Sequence, residues 1–329
     1  MNPLILPLAA LLGLALPAPG PGEYSLPQRT FLFTYQVIIG DIPARAGKLR
    51  LWIPRAESDE HQTVRLKAAD GPAPLRETRE GEYGNHILYA EVRHPHNGLP
   101  AFIIAYEVTR REYARGDYAR LAKAGSDSEP VPQSVRHFLE PDRLVPISGR
   151  IKDLADAVAA ARPSALGKAY ALYDYVFRTV RYDKSGTGWG RGDSLWVCDA
   201  RRGNCSDFHS LFISLARAEG IPARFDIGFP VPAGDSAGIP GYHCWAEFFV
   251  AGLGWVPVDI SEAWKNPEKH DYFFGALDSN RVQFSTGRDL RLEPKPDGPA
   301  VNYFIYPYAE LDGKPFDGVK GNFSFRSVR

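Results

Sequence analysis

The chain has 329 residues, of which 44% are hydrophobic and 24% charged, with 39 basic and 39 acidic side chains. These values are typical of a globular protein of about two domains and exclude disordered, collagen-like and coiled-coil chains. The zero net charge also argues against a nucleic-acid partner and against polybasic attachment to an anionic membrane, because both need clustered basic side chains.

The first residues predict an export signal. Residues 4–16 are nearly all apolar, a length that fits the hydrophobic region of a signal peptide and is too short to span a bilayer. We therefore expect a signal peptide over 1–22 and an exported protein, periplasmic or extracellular if the source is bacterial. The alternative is a disordered or weakly anchored terminus. No later segment is apolar for long enough to cross a membrane, so no integral membrane segment is expected after signal removal.

Residues 23–115 predict an antiparallel β-sandwich. Apolar and polar side chains alternate from Arg29, with Phe31, Phe33 and Tyr35 on one face, and similar runs follow at intervals separated by turn residues. Several short strands with such turns are typical of a sandwich. A polar, proline-containing segment from residue 116 then predicts a boundary, so that a second domain occupies 116–329.

The second domain opens with helices. Apolar residues recur at helical spacing over 151–158 and 166–180, and Ser164 is a suitable N-cap for the second of these helices. A third helix is predicted to begin near Gly203 and to stop at Gly220. Two strands and further β-rich sequence follow, which is the element order of an α+β domain.

Cys205 falls in the first turn of the third predicted helix. The helix dipole stabilises a thiolate there, and the free backbone N–H groups of a helix start can bind an oxyanion. Gly203, two residues earlier, leaves room for a substrate near the backbone. Cys205 is therefore the candidate nucleophile, and such a nucleophile needs a base and a group that orients the base.

The two predicted strands, 242–250 and 255–260, supply that pair. If they form a hairpin centred on Ala251, His243 and Asp259 lie opposite each other, and a register shift of two residues keeps them on the same face. A carboxylate beside an imidazole fixes its tautomer and stabilises the imidazolium. We therefore expect a Cys205–His243–Asp259 triad, provided that the helix packs against the hairpin.

Four strings around these residues carry a resemblance. They are Gly203-Asn-Cys205-Ser-Asp207-Phe, Gly220-Ile-Pro-Ala-Arg224, His243-Cys-Trp245-Ala-Glu247 and Gly254-Trp-Val-Pro-Val-Asp259. Together they resemble the bacterial transglutaminase-like superfamily. The resemblance implies a papain-like α+β fold and acyl transfer from an amide through a thioester, without a cofactor. It makes Cys205 the nucleophile, His243 the general base and then acid, and Asp259 the orienting group.

Differences from the family's cross-linking members indicate which of the two acyl-transfer reactions, hydrolysis or cross-linking, to expect. Animal cross-linking members carry Gly-Gln-Cys-Trp where this chain has Gly-Asn-Cys-Ser, and no acidic loop has calcium-site spacing. Hydrolysis is thus favoured over cross-linking. Papain-like members also place a tryptophan or glutamine near the oxyanion, and Trp189 and Trp196 are the candidates here for an oxyanion or substrate contact.

The other sulfur atoms and histidines admit alternative interpretations. Cys244 is expected on the opposite strand face from His243, either in the core or in a disulfide with Cys198 that leaves Cys205 free. A zinc site drawn from these cysteines, His243 and His209 is the rival chemistry. It lacks the CxxC or HxxxH pairs that preorganise such sites, so no metal is expected, and His209 is interpreted as a hydrogen-bonding residue.

The leading hypothesis is thiol-dependent hydrolysis of a peptide or isopeptide bond in a peptide or protein amide substrate. The first alternative is a catalytically silent domain that binds or organises components of the cell envelope. The second is a cross-linking transglutaminase. Peptidoglycan stem peptides, protein side chains and small amides all remain open as substrates, because a neutral chain gives no charge preference.

Overall fold

The computed structural model describes residues 27–124 and 130–328, and the predicted signal peptide at 1–22 lies outside them. The first part of the described chain is all β. Its strands are β1 (Gln28–Ile39), β2 (Lys48–Arg55), β3 (Gln62–Asp70), β4 (Arg76–Arg79), β5 (His86–Arg93), β6 (Phe102–Arg111) and β7 (Tyr113–Ala114).

Helices and further strands follow. They are α1 (Tyr118–Ala124), a 3-10 helix (Gln133–Leu139), α2 (Arg150–Ala159), α3 (Ala165–Thr179), β8 (Arg181–Tyr182), α4 (Ser194–Ala200), β9 (Arg202–Gly203), α5 (Cys205–Ala218), β10 (Ala223–Pro230), β11 (Ser236–Ile239), β12 (His243–Val250), β13 (Gly254–Val258), α6 (Ile260–Lys265), a 3-10 helix (Pro267–Lys269), β14 (Ala276–Leu277), β15 (Arg281–Thr286), β16 (Tyr308–Leu311), β17 (Lys314–Pro315) and β18 (Val319–Ser327). None of the helices within 27–124 and 130–328 is long and apolar enough to cross a membrane.

The predicted sandwich is present as two five-stranded antiparallel sheets. Their strand orders are β11-β18-β1-β6-β3 and β17-β16-β2-β5-β4. Alternate residues of β1, including Phe31, Phe33 and Tyr35, are fully buried and share one core with Leu49 and Leu51 of β2. The alternation seen in the sequence therefore marks the inward face of the sheet.

The sandwich is completed by strands from the far end of the chain. β18 pairs with β1 along nine residues, and β16 pairs with β2. The sequence-based division at residue 116 assigned these strands to the second domain, because nothing local distinguishes a strand that pairs with a neighbour from one that pairs almost 300 residues away. β11, which leads through residues 240–242 into β12, also pairs with β18.

The second layer is built around a four-stranded antiparallel sheet, β13-β12-β10-β15, against which α5 packs. The three expected helices are confirmed as α2, α3 and α5. Ser164 caps α3 by accepting a hydrogen bond from the Gly167 N–H, and Gly220 follows α5 with a positive φ of 74°. Because α5 is buried along almost its whole length, its first residue lies deep in the molecule.

The predicted hairpin forms with a register two residues from the expected one. β12 and β13 pair Ala246 with Val258 and Val250 with Gly254. β13 ends at Val258, so Asp259 is the N-cap of α6 instead of a strand residue. Because a shift of two preserves the face, His243 and Asp259 still meet.

Gly228 of β10 keeps this sheet closely packed. It pairs with His243 on one side, and a Cβ atom there would lie 1.8 Å from the Val282 carbonyl oxygen. We expect Gly228→Ala to lower the free energy of unfolding by about 1–3 kcal/mol, because β15 must move away. Urea denaturation measures this, with Gly238→Ala in β11 as control, since its nearest atom lies 4.0 Å away. Equal losses in the two variants would contradict the packing argument.

Candidate active site

The start of α5 is built by a capping box. The side chain of Asn204 accepts a hydrogen bond from the Ser206 N–H at 3.0 Å, and Asp207 accepts one from the Asn204 N–H at 2.8 Å. This reciprocal arrangement fixes the first helical turn. Cys205 is the first residue of the helix and is 2% exposed.

Asp207 also anchors the glycine-rich loop that precedes α4. Its carboxylate accepts hydrogen bonds from the Gly190 and Gly192 N–H groups at 2.7 and 3.0 Å. Gly203, expected to give a substrate access, has a φ of 155°, and a Cβ atom there would lie 2.2 Å from the Asp207 carboxylate. The glycine is therefore required by the packing of the helix start.

His243, the first residue of β12, faces both other members of the predicted triad. Its Nε2 atom lies 2.7 Å from Asp259 Oδ2, and both side chains are buried. This contact leaves Nδ1 as the ring nitrogen available to the Cys205 thiol. The imidazole interacts with Cys205 both as a hydrogen-bond partner and through its charge.

These contacts shift the protonation of all three groups. Burial raises the pKa of Cys205, but hydrogen bonds from Cys244 and His243 and the charge on His243 outweigh it, so the pKa is well below its usual range. Burial lowers the pKa of His243, but the charge and hydrogen bond of Asp259 together with Cys205 raise it to about 10. The carboxyl of Asp259, although buried, has its pKa lowered by His243 and Arg281. The arrangement favours a thiolate–imidazolium pair at neutral pH.

Arg281 is a site residue that the sequence did not reveal. It is the first residue of β15, is 2% exposed, and places Nη1 2.9 Å from Asp259 Oδ2. Arg281 could not be found from the sequence because it lies 22 residues beyond Asp259, on a strand that contains no recognisable motif. The pattern Asn204-x-x-Asp207, by contrast, is a capping signal that could have identified the role of Asp207.

His209 lies one turn after Cys205 and serves as a hydrogen-bond acceptor, in line with its interpretation from the sequence. Its Nε2 accepts the Ile260 N–H at 3.0 Å. Burial lowers the pKa of His209 to about 4, against the opposing charges of Asp259 and Cys205. The ring is therefore neutral at physiological pH, which suits an acceptor.

Cys244 lies in the core, which is the first of the two alternatives expected for it, and the disulfide with Cys198 is not formed, since all three cysteines are free. Cys198 is half-buried on α4, whereas Cys244 is buried with its Sγ 3.7 Å from Ser206 Oγ. Cys244 is thus directed at α5 and contributes a hydrogen bond to Cys205. Face alternation along β12 could not decide between the two alternatives, because it does not reveal which helix covers each face.

Of the two candidate tryptophans, Trp189 belongs to the glycine-rich loop and Trp196 to α4, the helix that follows it. Trp189 donates its indole N–H to the Gly186 carbonyl at 3.1 Å. Trp196, on α4, is half-buried, and a Cβ atom on Gly188 would lie 2.6 Å from its Nε1 atom. Both indoles therefore pack with the loop, and the Trp189 N–H is already engaged there.

The residues considered for zinc do not form a group of three whose possible ligand atoms all lie within 4.8 Å of one another, although Cys244 Sγ lies 3.7 Å from His209 Nδ1. Among the described residues, the group of three whose ligand atoms lie within 4.8 Å of one another is Glu57, Glu77 and His86. It belongs to the sandwich, and Arg55 pairs with both glutamates at 3.2 and 3.5 Å. An arginine between two carboxylates already supplies the positive charge that a cation would bring.

A cleft of about 220 Å³ opens beside His243. Residues 230–233, which follow β10, form one wall, and Glu262 and Arg281 contribute to the others. Arg29 of the sandwich holds the first wall by donating to the carbonyls of Val231 and Gly234 at 2.8 and 3.0 Å. The sandwich therefore helps to shape the entrance on the imidazole side.

Comparisons with known proteins found a family model, related sequences and a solved structure to which this chain is similar. A model of the transglutaminase-like superfamily matches residues 152–260, which contain all three triad positions. An uncharacterized protein of Haemophilus influenzae is 27% identical over 327 residues, covering 87% of this chain and 86% of its own. YebA of Bacillus subtilis, also uncharacterized, is 25% identical over 262 residues, and these cover 67% of this chain but 34% of YebA.

One solved structure shares the architecture over most of its length. A candidate cysteine protease from Cytophaga hutchinsonii superposes with a TM-score of 0.60 at 16% identity, and the match covers 92% of each chain. At this level of identity the similarity concerns the fold. Residues 152–260 therefore form a transglutaminase-like domain, according to the family model that matches them.

Proposed function

We propose that this protein is a cysteine hydrolase that cleaves a peptide or isopeptide bond through a thioester on Cys205. The observation that carries the proposal is the position of the His243 imidazole between the Asp259 carboxylate and the Cys205 thiol at the start of a buried helix. Its substrate is a peptide or protein amide, and it acts after export, for which the apolar segment 4–16 is the support.

The first half-reaction forms the thioester. The Cys205 thiolate attacks the carbonyl carbon, and the electron pair moves onto the carbonyl oxygen. N–H groups at a helix start lack an intrahelical acceptor, and we assign that of Cys205, the first residue of α5, as a donor to this oxyanion. When the intermediate collapses, the leaving amine takes a proton from Nδ1 of the imidazolium of His243.

The second half-reaction releases the acid. The now neutral imidazole takes a proton from water, and the resulting hydroxide attacks the thioester carbonyl. Collapse expels the Cys205 thiolate and regenerates the ion pair with the protonated His243. Asp259 stabilises the imidazolium in both halves and keeps Nε2 engaged, so that proton transfer occurs at Nδ1.

Product analysis tests this reaction. Glutamine-containing and isopeptide-linked peptides are incubated with the full chain, with and without a labelled primary amine, and mass spectrometry quantifies the free acid and the amine conjugate. We expect the acid to predominate and both products to vanish with Cys205→Ala. Conjugate formation that outruns acid release would favour cross-linking. Product that persists at the wild-type rate in Cys205→Ala would contradict the proposal.

A further inference from the structure

We propose that Arg281 is a positioning residue of this active site, which holds the Asp259 carboxylate ionised and in place and so sets the pH range over which Cys205 is reactive. The inference rests on the proposed function, because it concerns the same thiolate–imidazolium pair. Arg281 contacts Asp259, and its effect on Cys205 is transmitted through that carboxylate and through its own charge.

The contact between the two residues is direct and buried. Arg281 Nη1 lies 2.9 Å from Asp259 Oδ2, the same oxygen that lies 2.7 Å from His243 Nε2. The other oxygen, Oδ1, accepts from the Glu262 N–H at 3.1 Å and from the Ser261 hydroxyl at 3.2 Å. Rotation of the carboxylate would break these bonds, so its orientation toward His243 is fixed.

The guanidinium is itself held on two other sides. It lies over the ring of Trp245 with 5.0 Å between its central carbon and the ring centroid. Its Nε and Nη2 atoms each lie 3.4 Å from Asp278 Oδ1. A planar guanidinium can bind two carboxylates and stack on a ring at once, which the ammonium of a lysine does poorly.

Several other charged or titratable groups surround this pair. They are Cys205 and His209 of α5, His243 and Cys244 of β12, Glu262 of α6, Asp278 before β15, Arg110 of β6, Tyr173 of α3, Tyr182 of β8 and Tyr272. Arg281 supplies the permanent cation that contacts Asp259. Loss of Arg281 would have two effects, and both would raise the pH midpoint at which Cys205 becomes reactive. Asp259 would protonate at a higher pH, and the Cys205 thiolate would lose a nearby positive charge.

The rate at which iodoacetamide alkylates Cys205 between pH 4 and 9 tests the role of Arg281. Peptide mass mapping of the full chain identifies the modified thiol. We expect Arg281→Gln to raise the pH midpoint of the acid limb by about one unit, and Arg281→Lys to raise it by less than half as much. Arg288→Gln is the matched control, because Arg288 is equally buried and bonds to the carbonyls of Gly192 and Arg191.

The outcomes separate this inference from the proposed function. A folded Arg281→Gln variant with the wild-type midpoint, or an equal shift in Arg288→Gln, would overturn the role of Arg281 alone. A wild-type midpoint near 8.5 would instead remove the proposed function. Should Arg281→Gln fail to fold, Asp278→Asn decides. This substitution removes the negative charge that Arg281 shares between Asp278 and Asp259, so that Asp259 becomes its one carboxylate partner of the two. The pH midpoint of alkylation is then expected to fall, and an unchanged or raised midpoint would overturn the inference.

Discussion

Cys205→Ala is expected to lower amide hydrolysis by roughly 10⁴-fold or more, because the step that forms the thioester has no other nucleophile. The fold should survive, since removal of one buried sulfur atom costs about 1 kcal/mol. Steady-state hydrolysis, together with mass detection of an acyl adduct on Cys205 after rapid acid quenching, measures the effect.

Cys198→Ala is the matched control for this prediction. Cys198 is also a free thiol, on helix α4, which packs against α5, but it is half-buried, and burial raises its pKa. Hydrolysis and the acyl adduct should both be retained in this variant. If Cys198→Ala lost activity as far as Cys205→Ala does, or if the adduct mapped to another cysteine, the assignment of the nucleophile would be wrong.

Asp259→Asn is expected to reduce kcat by about 10³- to 10⁴-fold, because an amide neither stabilises the imidazolium of His243 nor fixes its tautomer. The same change removes one of the two carboxylates that neutralise the buried Arg281. We therefore also expect the free energy of unfolding to fall by about 3 kcal/mol, which urea denaturation measures.

Asp142→Asn separates the two effects of that substitution. Asp142 pairs at 2.8 Å with the buried Arg217, which lies at the opposite end of α5 from Cys205. It should show a comparable loss of stability with kcat close to wild type. An equal loss of kcat in Asp142→Asn would mean that the effect of Asp259→Asn arises from general destabilisation rather than from the triad.

The parts of the site that the sequence predicted depend on residues close together in the chain. Ser164 and Gly220 mark helix ends through local capping, and both were recognised. The hairpin that brings His243 to Asp259 was also expected, although its register differed by two residues, because the turn covers residues 251–253 instead of centring on Ala251. The same-face relation did not depend on that detail.

The parts that the sequence did not predict arise from distant contacts. The strand β18 completes a sheet begun by β1, and Arg281 reaches Asp259 from a strand with no recognisable motif. The contact of Cys244 with Ser206 and His209 depends on how β12 packs under α5. Propensity and periodicity describe a segment's own conformation, and which segments meet is decided by tertiary packing.

The most direct test of the account is the pH dependence of Cys205 alkylation by iodoacetamide in the wild type and in His243→Ala. If Cys205 and His243 form an ion pair, the wild-type thiol reacts well below pH 8.5, and His243→Ala moves the midpoint upward toward the value of an ordinary thiol. A wild-type midpoint near 8.5 or above that does not change in His243→Ala would contradict the assignment of a catalytic thiolate.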